Sequence, residues 1–426
     1  MADVLADLAW RGMVHQVTDE GLGDKLEAEP FVVYHGIDAT ADSLHVGNFI
    51  GVLALRRLQR AGHRPIVLLG GATTLIGDPS GKASERPMRA AEEVRGNIAA
   101  LRHQLERFLD FGAGPAQALL VDNADWLGSV TLTDFLRDVG KHFTVNAMMA
   151  KESVRARLET REQGISFTEF SYMLLQAYDY LHLHDTDDCR LQVGGSDQWG
   201  NITAGVDLIR RVRSREVYGL TWPLMTKADG SKFGKSEAGN VWLSPDRTSP
   251  YQFFQFWVRT DDRDVIPYLK LFTDLGPEPI AELEAQVAEA PERRAAQMVL
   301  AQEVSAAVHG PQHADLARQA AEALYRGDLG QLDEATLLEA FAEAPSVTVP
   351  RPELDRGLTL LDLLLRAGVS LSRSAARREL QQGGIYVNNL QERDEDRGLG
   401  PDDLLAGRYL VLRRGKRNYH LVEFRE

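Results

Sequence analysis

The first third of the chain alternates apolar, strand-like segments with helical ones, and this pattern constrains the fold most. Residues 31–37 (FVVYHGI) and 65–71 (PIVLLGG) are short, apolar and β-branched, and each contains glycine near its end, which is typical of buried strands. Between them, Phe49 to Gln59 repeats apolar residues at helical spacing and stops at Gly62. This strand–helix–strand unit predicts an α/β fold with a doubly wound, parallel, Rossmann-like sheet.

The alternation stops after about residue 220, and helical periodicity then continues to residue 343. Three prolines between residues 344 and 352 predict a stiff, helix-free linker. The remaining residues have the pattern of two short helices and a strand, which predicts a small α+β module. The predicted domains are therefore residues 1–222 for the sheet, 223–343 for a helical domain, 344–352 for the linker and 353–426 for the module.

Charge is distributed unevenly along the chain. The net charge is −14, which excludes a general cationic coat and confines any nucleic-acid contact to a local patch. Residues 351–426 nevertheless carry 14 basic against 12 acidic side chains, and the other 350 residues carry 34 against 50. This contrast predicts a polyanionic partner for the C-terminal module.

The sequence also indicates a compartment. The single cysteine, Cys189, excludes an intrachain disulfide and a cysteine-based zinc site. The segment from Met1 to Thr18 contains charges within its apolar run, which is unlike a signal peptide, and no run of eighteen apolar residues occurs. We expect a cytoplasmic protein with no membrane span.

The segment from Asp38 to Asn48 follows the first predicted strand and opens a helix. A helix N-terminus offers free N–H groups to a phosphate, Gly47 permits close approach of a nucleotide, and His45 can donate a hydrogen bond. The alternative is that Ser43 merely caps the helix and His45 has no ligand.

A second candidate segment is the lysine loop, Lys232-Phe-Gly-Lys235-Ser236. Two lysines three residues apart suit the negative charge that develops on a departing pyrophosphate. The alternative is an ordinary solvated loop, which is the commoner fate of lysines.

Together, the H-x-G-x helix start and the K-x-x-K-S loop resemble the paired signature of class I aminoacyl-tRNA synthetases. Asn48 stands for the second His of the first motif, and Phe233-Gly234 stands for Met-Ser of the second. The segments 34–38 (YHGID) and 193–201 (VGGSDQWGN) narrow the resemblance to the bacterial-type tyrosyl-tRNA synthetases, over essentially the whole chain. One departure is His35, which lies where relatives often carry a small cysteine near the ribose.

Three polar residues, Tyr172, Gln176 and Asp179, are spaced i, i+4 and i+7 and share one helix face. An inward-facing polar stripe implies a ligand, whereas the alternative places the stripe in solvent. The segment 77–82 (GDPSGK) lacks the spacing of a phosphate-binding P-loop, and we reject that interpretation.

The resemblance implies roles for individual residues. It implies a tyrosine pocket lined by Tyr34, Asp78, Tyr172, Gln176, Asp179, Gln192 and Gln198. It implies a catalytic, triphosphate-facing group formed by Thr40, His45, Lys82, Arg86, Lys232 and Lys235. The other ATP contacts would come from Gly36, Asp38, Gly47, Asn48, Gly195 and Asp197, and Lys235 would also contact ATP. Tyr34 and Asp179 would bind the phenolic hydroxyl of tyrosine. Tyr172, Gln176 and Asp78 would hold its ammonium group.

The tail resembles an RNA-binding module named for a small-subunit ribosomal protein. Its predicted tRNA contacts are Arg373, Arg377, Arg378, Arg408, Arg413 and Arg414. Arginines beside aromatic side chains suit an RNA backbone and unstacked bases. The alternative is a solvated rim of a β-ribbon.

The implied activity is the ligation of tyrosine to tRNA(Tyr), with ATP as substrate together with Mg²⁺, no tightly bound cofactor and no dedicated metal site. Two alternatives are a tryptophanyl-tRNA synthetase and an inactive paralogue that binds RNA. The resemblance also implies a homodimer, for which residues 132–170 are the expected interface.

Overall fold

The structure is a computed structural model that describes residues 3–80, 89–151, 154–155, 165–236, 239–326, 329–342, 344–415 and 418–426. Its contacts divide the chain into two compact units. The first comprises Met1–Ser244 and Asp261–Ala288, and the second comprises Pro245–Thr260 and Glu289–Glu426. Within the described residues, no helix is both long and apolar enough to cross a membrane.

The first unit is built on a six-stranded sheet. Its strands are β1 (Gln16–Val17), β2 (Val32–Ile37), β3 (Arg64–Leu69), β4 (Leu119–Asp122), β5 (Cys189–Gly195) and β6 (Tyr218–Trp222). Their order is β1-β6-β5-β2-β3-β4, and only β1 runs antiparallel to its neighbour. The predicted doubly wound parallel sheet is confirmed. Because the winding reverses between β2 and β5, a crevice is expected at the carboxyl ends of these two strands.

The helices surround this sheet and form much of the second unit. In chain order they are α1 (Val4–Trp10), α2 (Leu22–Ala28), α3 (Val46–Arg60), α4 (Thr73–Ile76), α5 (Ala91–Leu105), α6 (Ala124–Leu127), α7 (Leu132–Asp138), α8 (Val145–Met149), α9 (Phe167–Asp187), α10 (Trp199–Arg213), α11 (Pro250–Val258), α12 (Asp262–Phe272), α13 (Pro277–Glu289), α14 (Ala295–His309), α15 (Pro311–Arg326), α16 (Glu334–Ala340), α17 (Pro352–Asp355), α18 (Leu360–Arg366) and α19 (Arg373–Gln381). A short hairpin pairs β7 (Lys235–Ser236) with β8 (Gly239–Asn240).

Within the helical region predicted after residue 220, residues 250–272 form two helices, α11 and α12. The first ends at Val258, and the second begins after Asp261, whose carboxylate accepts the Arg263 N–H at 3.0 Å as an N-cap. A side-chain oxygen that satisfies a free N–H favours a helix start at this point. The break also marks a boundary between the two units: α11 belongs to the second unit, and α12 belongs to the first, which contains the sheet.

The second unit contains a five-stranded sheet. Its strands are β9 (Ser346–Pro350), β10 (Ile385–Val387), β11 (Leu390–Glu392), β12 (Tyr409–Arg414) and β13 (Asn418–Arg425), in the order β11-β10-β12-β13-β9. One core forms between this sheet and α18 and α19, with Leu364 and Leu380 buried in it. A second core includes Leu337 and Phe341 together with Val411 of β12. The helices after residue 289 therefore share a core with the module instead of forming a separate domain.

The predicted proline linker also differs from the structure. Residues 346–350 form β9, which pairs in parallel with β13, and Val349 is fully buried. Pro345 and Pro350 are tolerated because β9 lies at the edge of the sheet, where a missing N–H costs little. Residues 344–351 are free of helix as the prolines indicated, whereas Pro352 begins α17. The β-branched Val347 and Val349 favour the strand.

Candidate active site

A cavity of about 640 Å³ lies at the carboxyl ends of β2 and β5, where the winding of the sheet reverses. The ends of these strands form one part of its wall. The start of α3, one face of α9, the segment after β6 and part of the lysine loop form the rest. All of these elements belong to the first unit.

The wall of the cavity includes the N-terminus of α3, which is capped by His45 and not by Ser43. The Nδ1 atom of His45 accepts the N–H groups of Gly47 and Asn48 at 3.1 and 3.2 Å. Since Nδ1 is an acceptor, the proton lies on Nε2, which can donate to an anion. A Cβ atom on Gly47 would lie 2.9 Å from the imidazole Cε1, so the folded-back ring itself requires glycine at this position.

At the other end of the cavity, Asp179 is buried among neutral donors. Trp126 Nε1 donates to its Oδ1 at 2.8 Å, and Asn123 Nδ2 donates to its Oδ2 at 3.0 Å. Burial raises the pKa of Asp179 to about 7, and the two donated hydrogen bonds oppose this rise. The hydroxyl of Tyr34, also buried, finds no hydrogen-bond partner among the described residues. An acceptor and an unsatisfied hydroxyl at a closed end suit a ligand that carries a hydroxyl group.

A hydrogen-bond chain links this end of the cavity to Asp38. Asn123 Nδ2 also donates to Thr73 Oγ1 at 3.0 Å, and Thr73 Oγ1 donates to Asp38 Oδ1 at 3.0 Å. The Tyr172 hydroxyl donates to both oxygens of Asp38, at 3.1 and 3.2 Å. Tyr172 and Asp179 are 6% and 2% exposed, so the inward orientation of the polar stripe is confirmed and the solvent-facing alternative is wrong.

A second polar network covers the middle of the cavity. Gln198 Nε2 donates to Asp78 Oδ2 at 2.6 Å, and Asn201 Nδ2 donates to the side-chain oxygens of Gln176 and Gln198 at 3.1 and 3.2 Å. The side-chain oxygen of Gln192 is buried without a partner in the described part of the chain. These acceptors are suited to a primary ammonium group, which brings three N–H donors and no acceptor.

His35 lines the cavity, and its imidazole ring is held by three neighbours. Its Nδ1 is 3.0 Å from the Val193 carbonyl oxygen and therefore carries the proton, and its ring meets Trp222 edge-on at 5.3 Å. A Cβ atom on Gly51 of α3 would lie only 2.2 Å from His35 Nε2. Burial lowers the pKa of His35 to about 4, so the imidazole is neutral and its Nε2 is an acceptor.

The lysine loop lies at the mouth of the cavity. Lys232 contributes to the wall and pairs with Thr226 in an isolated β-bridge. Lys235 is exposed at the start of β7 and lies outside the wall. Lys82 and Arg86 lie outside the described residues.

Comparison with known proteins identifies the family. A model described as class I tRNA synthetases (W and Y) matches residues 26–326, and a model of the tyrosine–tRNA ligase C-terminal domain matches residues 336–422. Over 423 residues the chain is 52% identical to a tyrosine–tRNA ligase of Roseiflexus castenholzii, with 99% of each chain covered. The chain belongs to the tyrosyl-tRNA synthetases.

Other synthetases support the same assignment. A tyrosine–tRNA ligase of Geobacillus stearothermophilus is 53% identical over 99% of this chain and 100% of the relative. The crystal structure of a C-terminally truncated mitochondrial tyrosyl-tRNA synthetase of Aspergillus nidulans is 30% identical, with a TM-score of 0.69, over 76% of this chain and 94% of that one. The family membership expected from the sequence is therefore confirmed.

The structure brings together most of the residues that the synthetase resemblance singled out. The cavity wall contains Tyr34, Gly36, Asp38, Thr40, His45, Gly47, Asn48, Asp78, Tyr172, Gln176, Asp179, Gln192, Gly195, Asp197, Gln198 and Lys232. Their individual ligand contacts stay predictions. The sequence analysis missed Asn123 and Trp126, which are more than fifty residues from Asp179 along the chain. The available signal was their place directly after the apolar segment 118–122 (ALLVD), because this segment forms β4, which ends at the same edge of the sheet as β2 and β5.

The predicted tRNA contacts of this synthetase lie in the second unit and differ in their partners. Arg408 pairs with Glu423 and lies 3.7 Å from Glu334, and Arg414 lies 3.6 Å from Glu379 and donates to the Val369 carbonyl. Arg413 lies 3.6 Å above the Tyr386 ring. On α19, Arg373 pairs with Asp362 and Arg377 lies 3.4 Å from Glu395, whereas Arg378 has no ion pair within the described residues. Each cluster therefore has one arginine without an ion pair within the described residues, Arg378 on α19 and Arg413 on β12.

Proposed function

We propose that the cavity of the first unit is where this chain activates L-tyrosine with ATP, before the tyrosine is transferred to the 3′ end of its tRNA. The observation that carries the assignment of the site is that the buried Asp179 carboxylate and the unsatisfied Tyr34 hydroxyl both line the cavity. A phenolic hydroxyl can donate to the carboxylate and accept from Tyr34, and so satisfies both groups.

The remaining polar groups are suited to the rest of the two substrates. The acceptors of Asp78 and Gln176 would hold the ammonium group of tyrosine, and its carboxylate would then point towards α3. That carboxylate attacks the α-phosphorus of ATP, the bond to pyrophosphate breaks, and the protein supplies no nucleophile. Catalysis then consists of alignment and of charge stabilisation by His45 Nε2–H, Thr40 and the loop lysines.

We propose that Mg²⁺ enters with the phosphates of ATP. No cluster of three metal-ligating side chains occurs within the described residues, so the oxygen ligands would come from the nucleotide and from water. We place the reaction in the cytoplasm, where charged tRNA is consumed.

The amino acid is tested by ATP–pyrophosphate exchange with tyrosine, tryptophan and phenylalanine. We expect exchange with tyrosine and very little with the other two, because neither would satisfy Asp179 and Tyr34. Tyr34→Phe removes only one hydroxyl and should reduce the preference for tyrosine over phenylalanine. Equal exchange with tryptophan would support the tryptophanyl alternative, and no exchange would support the inactive one.

We propose that the chain forms a homodimer through the region of α7 and α8. Exposed apolar side chains cluster there in the sequence, including Leu132 (71% exposed), Val145 (59%) and Phe167 (78%). Met148, which the sequence analysis also placed at this interface, is buried within its own unit and is not available. Sedimentation equilibrium of the wild type and of Leu132→Glu/Val145→Glu should give a dimer and a monomer, respectively.

A further inference from the structure

The two residues between the signature lysines are anchored to the body of the first unit. The Phe233 ring packs against two neighbouring aromatic rings of α12, with its centroid 5.0 Å from that of Tyr268 and 5.3 Å from that of Phe272. Tyr268 and Phe272 are 4% and 1% exposed, so the anchor on α12 is itself firmly packed. Such ring pairs are stabilising beyond the burial of their apolar surface.

The adjacent Gly234 is held against the first turn of α3. Its φ is +78°, and a Cβ atom there would lie 2.9 Å from Val46 Cγ2. The Gly234 carbonyl accepts the Val241 N–H, and the Val241 carbonyl accepts the Val46 N–H, each at 3.0 Å. The Phe-Gly pair thus contacts α12 on one side and the start of α3 on the other.

These two helices are in turn fixed to each other. The buried Arg57 of α3 donates through Nη2 to the carbonyl oxygens of Leu271 and Thr273 at the end of α12, at 2.9 Å each. The same α3 begins at His45, the first signature residue. The two signature motifs are therefore attached to one frame of two helices, and Phe233 is the attachment point of the second motif.

We propose that Phe233 is a positioning residue, which packs against Tyr268 and Phe272 and so holds Lys232 and Lys235 in register with His45. The inference rests on the proposed function of the lysines towards the phosphates of ATP. Phe233 itself contacts no reacting atom in this account and acts only through its two neighbours. Loss of the anchor leaves both ammonium groups present but lets them sample positions away from the departing pyrophosphate.

The first experiment compares Phe233→Ala, Phe233→Met and the control Phe111→Ala, a half-buried phenylalanine of the same unit outside the cavity wall. Single-turnover formation of tyrosyl-adenylate should slow by about tenfold or more in Phe233→Ala. It should recover largely in Phe233→Met, because a flexible apolar side chain can still pack against the two rings. The tyrosine dissociation constant should stay within about twofold of the wild type. The control should leave both quantities unchanged.

The second experiment repeats Phe233→Ala in a Lys232→Ala/Lys235→Ala background. If Phe233 acts only through the lysines, its removal there should change the rate by less than about twofold. The proposal would be overturned if Phe233→Ala slowed adenylate formation by the same factor in the lysine-free background as in the wild type. It would also be overturned if the tyrosine dissociation constant rose as much as the rate fell. If the lysine variants alone keep the wild-type rate, the proposed function of the loop fails instead. If the lysine variants slow the reaction and Phe233→Ala does not, only the positioning role fails.

Discussion

The burial of Asp179 in the candidate site lowers the stability of the folded protein at neutral and alkaline pH. Its pKa is raised to about 7 in the folded protein, so between about pH 4 and pH 7 the native state binds a proton more tightly than the unfolded chain does. Stability from this group is therefore present at low pH and is lost as the pH rises through 7. The loss amounts to at most about 4 kcal/mol at pH 8, from 1.36 kcal/mol per pKa unit.

Asp179→Asn should therefore stabilise the free protein at pH 8 and do so much less at pH 5. The new amide cannot accept from both Asn123 and Trp126, which offsets about 1 kcal/mol of the gain. The same variant should lose tyrosine activation, because an amide is a weaker acceptor for the phenolic hydroxyl. Urea unfolding at both pH values and pyrophosphate exchange measure the two effects. A variant that is less stable than the wild type at pH 8 would contradict the account.

The His35 ring occupies the space that a side chain at position 51 of α3 would need, so this position requires glycine. Gly51→Ala would place a Cβ atom where His35 Nε2 now lies, so we expect a lower melting temperature and a raised KM for ATP. Gly96→Ala is the matched control, since Gly96 also lies within a helix, α5, and its Cβ would meet nothing within 4 Å. The control should gain about 0.5–1 kcal/mol of stability from helix propensity alone. Adding His35→Ala to Gly51→Ala should restore the melting temperature, and failure of that rescue would mean that the clash is not the cause.

At the scale of elements, the sequence predicts what depends on local periodicity and misses what depends on partners distant along the chain. The strands around residues 31–37 and 65–71 follow from the local pattern, and the spacing of Tyr172, Gln176 and Asp179 predicts one shared face of α9. The burial of that face does not follow from spacing and is shown only by the structure. The edge strand β9 was predicted as a linker because its partner, β13, lies about seventy residues later in the chain. The donors that hold Asp179 were missed for the same reason.

One element that we expect to contact tRNA is α19. Arg378→Gln should weaken tRNA binding and reduce the slope of log K against log salt concentration by about one. The reason is that the exposed Arg378 guanidinium has no ion pair within the described residues and is available to a phosphate. Arg414→Gln is the comparison, because its guanidinium already contacts Glu379 and the Val369 carbonyl and should matter less. Binding isotherms at several salt concentrations decide between them. An equal change in the salt slope for both variants would mean that partner residues do not govern the contact.

At the scale of the whole molecule, the candidate active site and the predicted tRNA contacts lie in different units. Every residue of the cavity wall belongs to the first unit, and the basic face of α19 belongs to the second. A chain that ends at Ala344 should therefore still form tyrosyl-adenylate at close to the full rate, yet fail to charge tRNA. It should also show an early unfolding transition, because removal of β12 and β13 exposes Leu337 and Phe341.

The exposure of Leu337 and Phe341 means that tRNA charging by the truncated chain cannot be interpreted by itself. A second unit that unfolds would fail to bind tRNA even if the arginines were not the contacts. The full-length triple variant Arg373→Gln/Arg377→Gln/Arg378→Gln keeps both cores of the second unit and removes three cations from its surface. We expect it to melt like the wild type, to exchange pyrophosphate normally and to charge tRNA poorly, with recovery at low salt. Wild-type charging by this variant and by the truncated chain at physiological salt would show that the module is dispensable. Loss of exchange in the truncated chain would show instead that the active site needs the second unit.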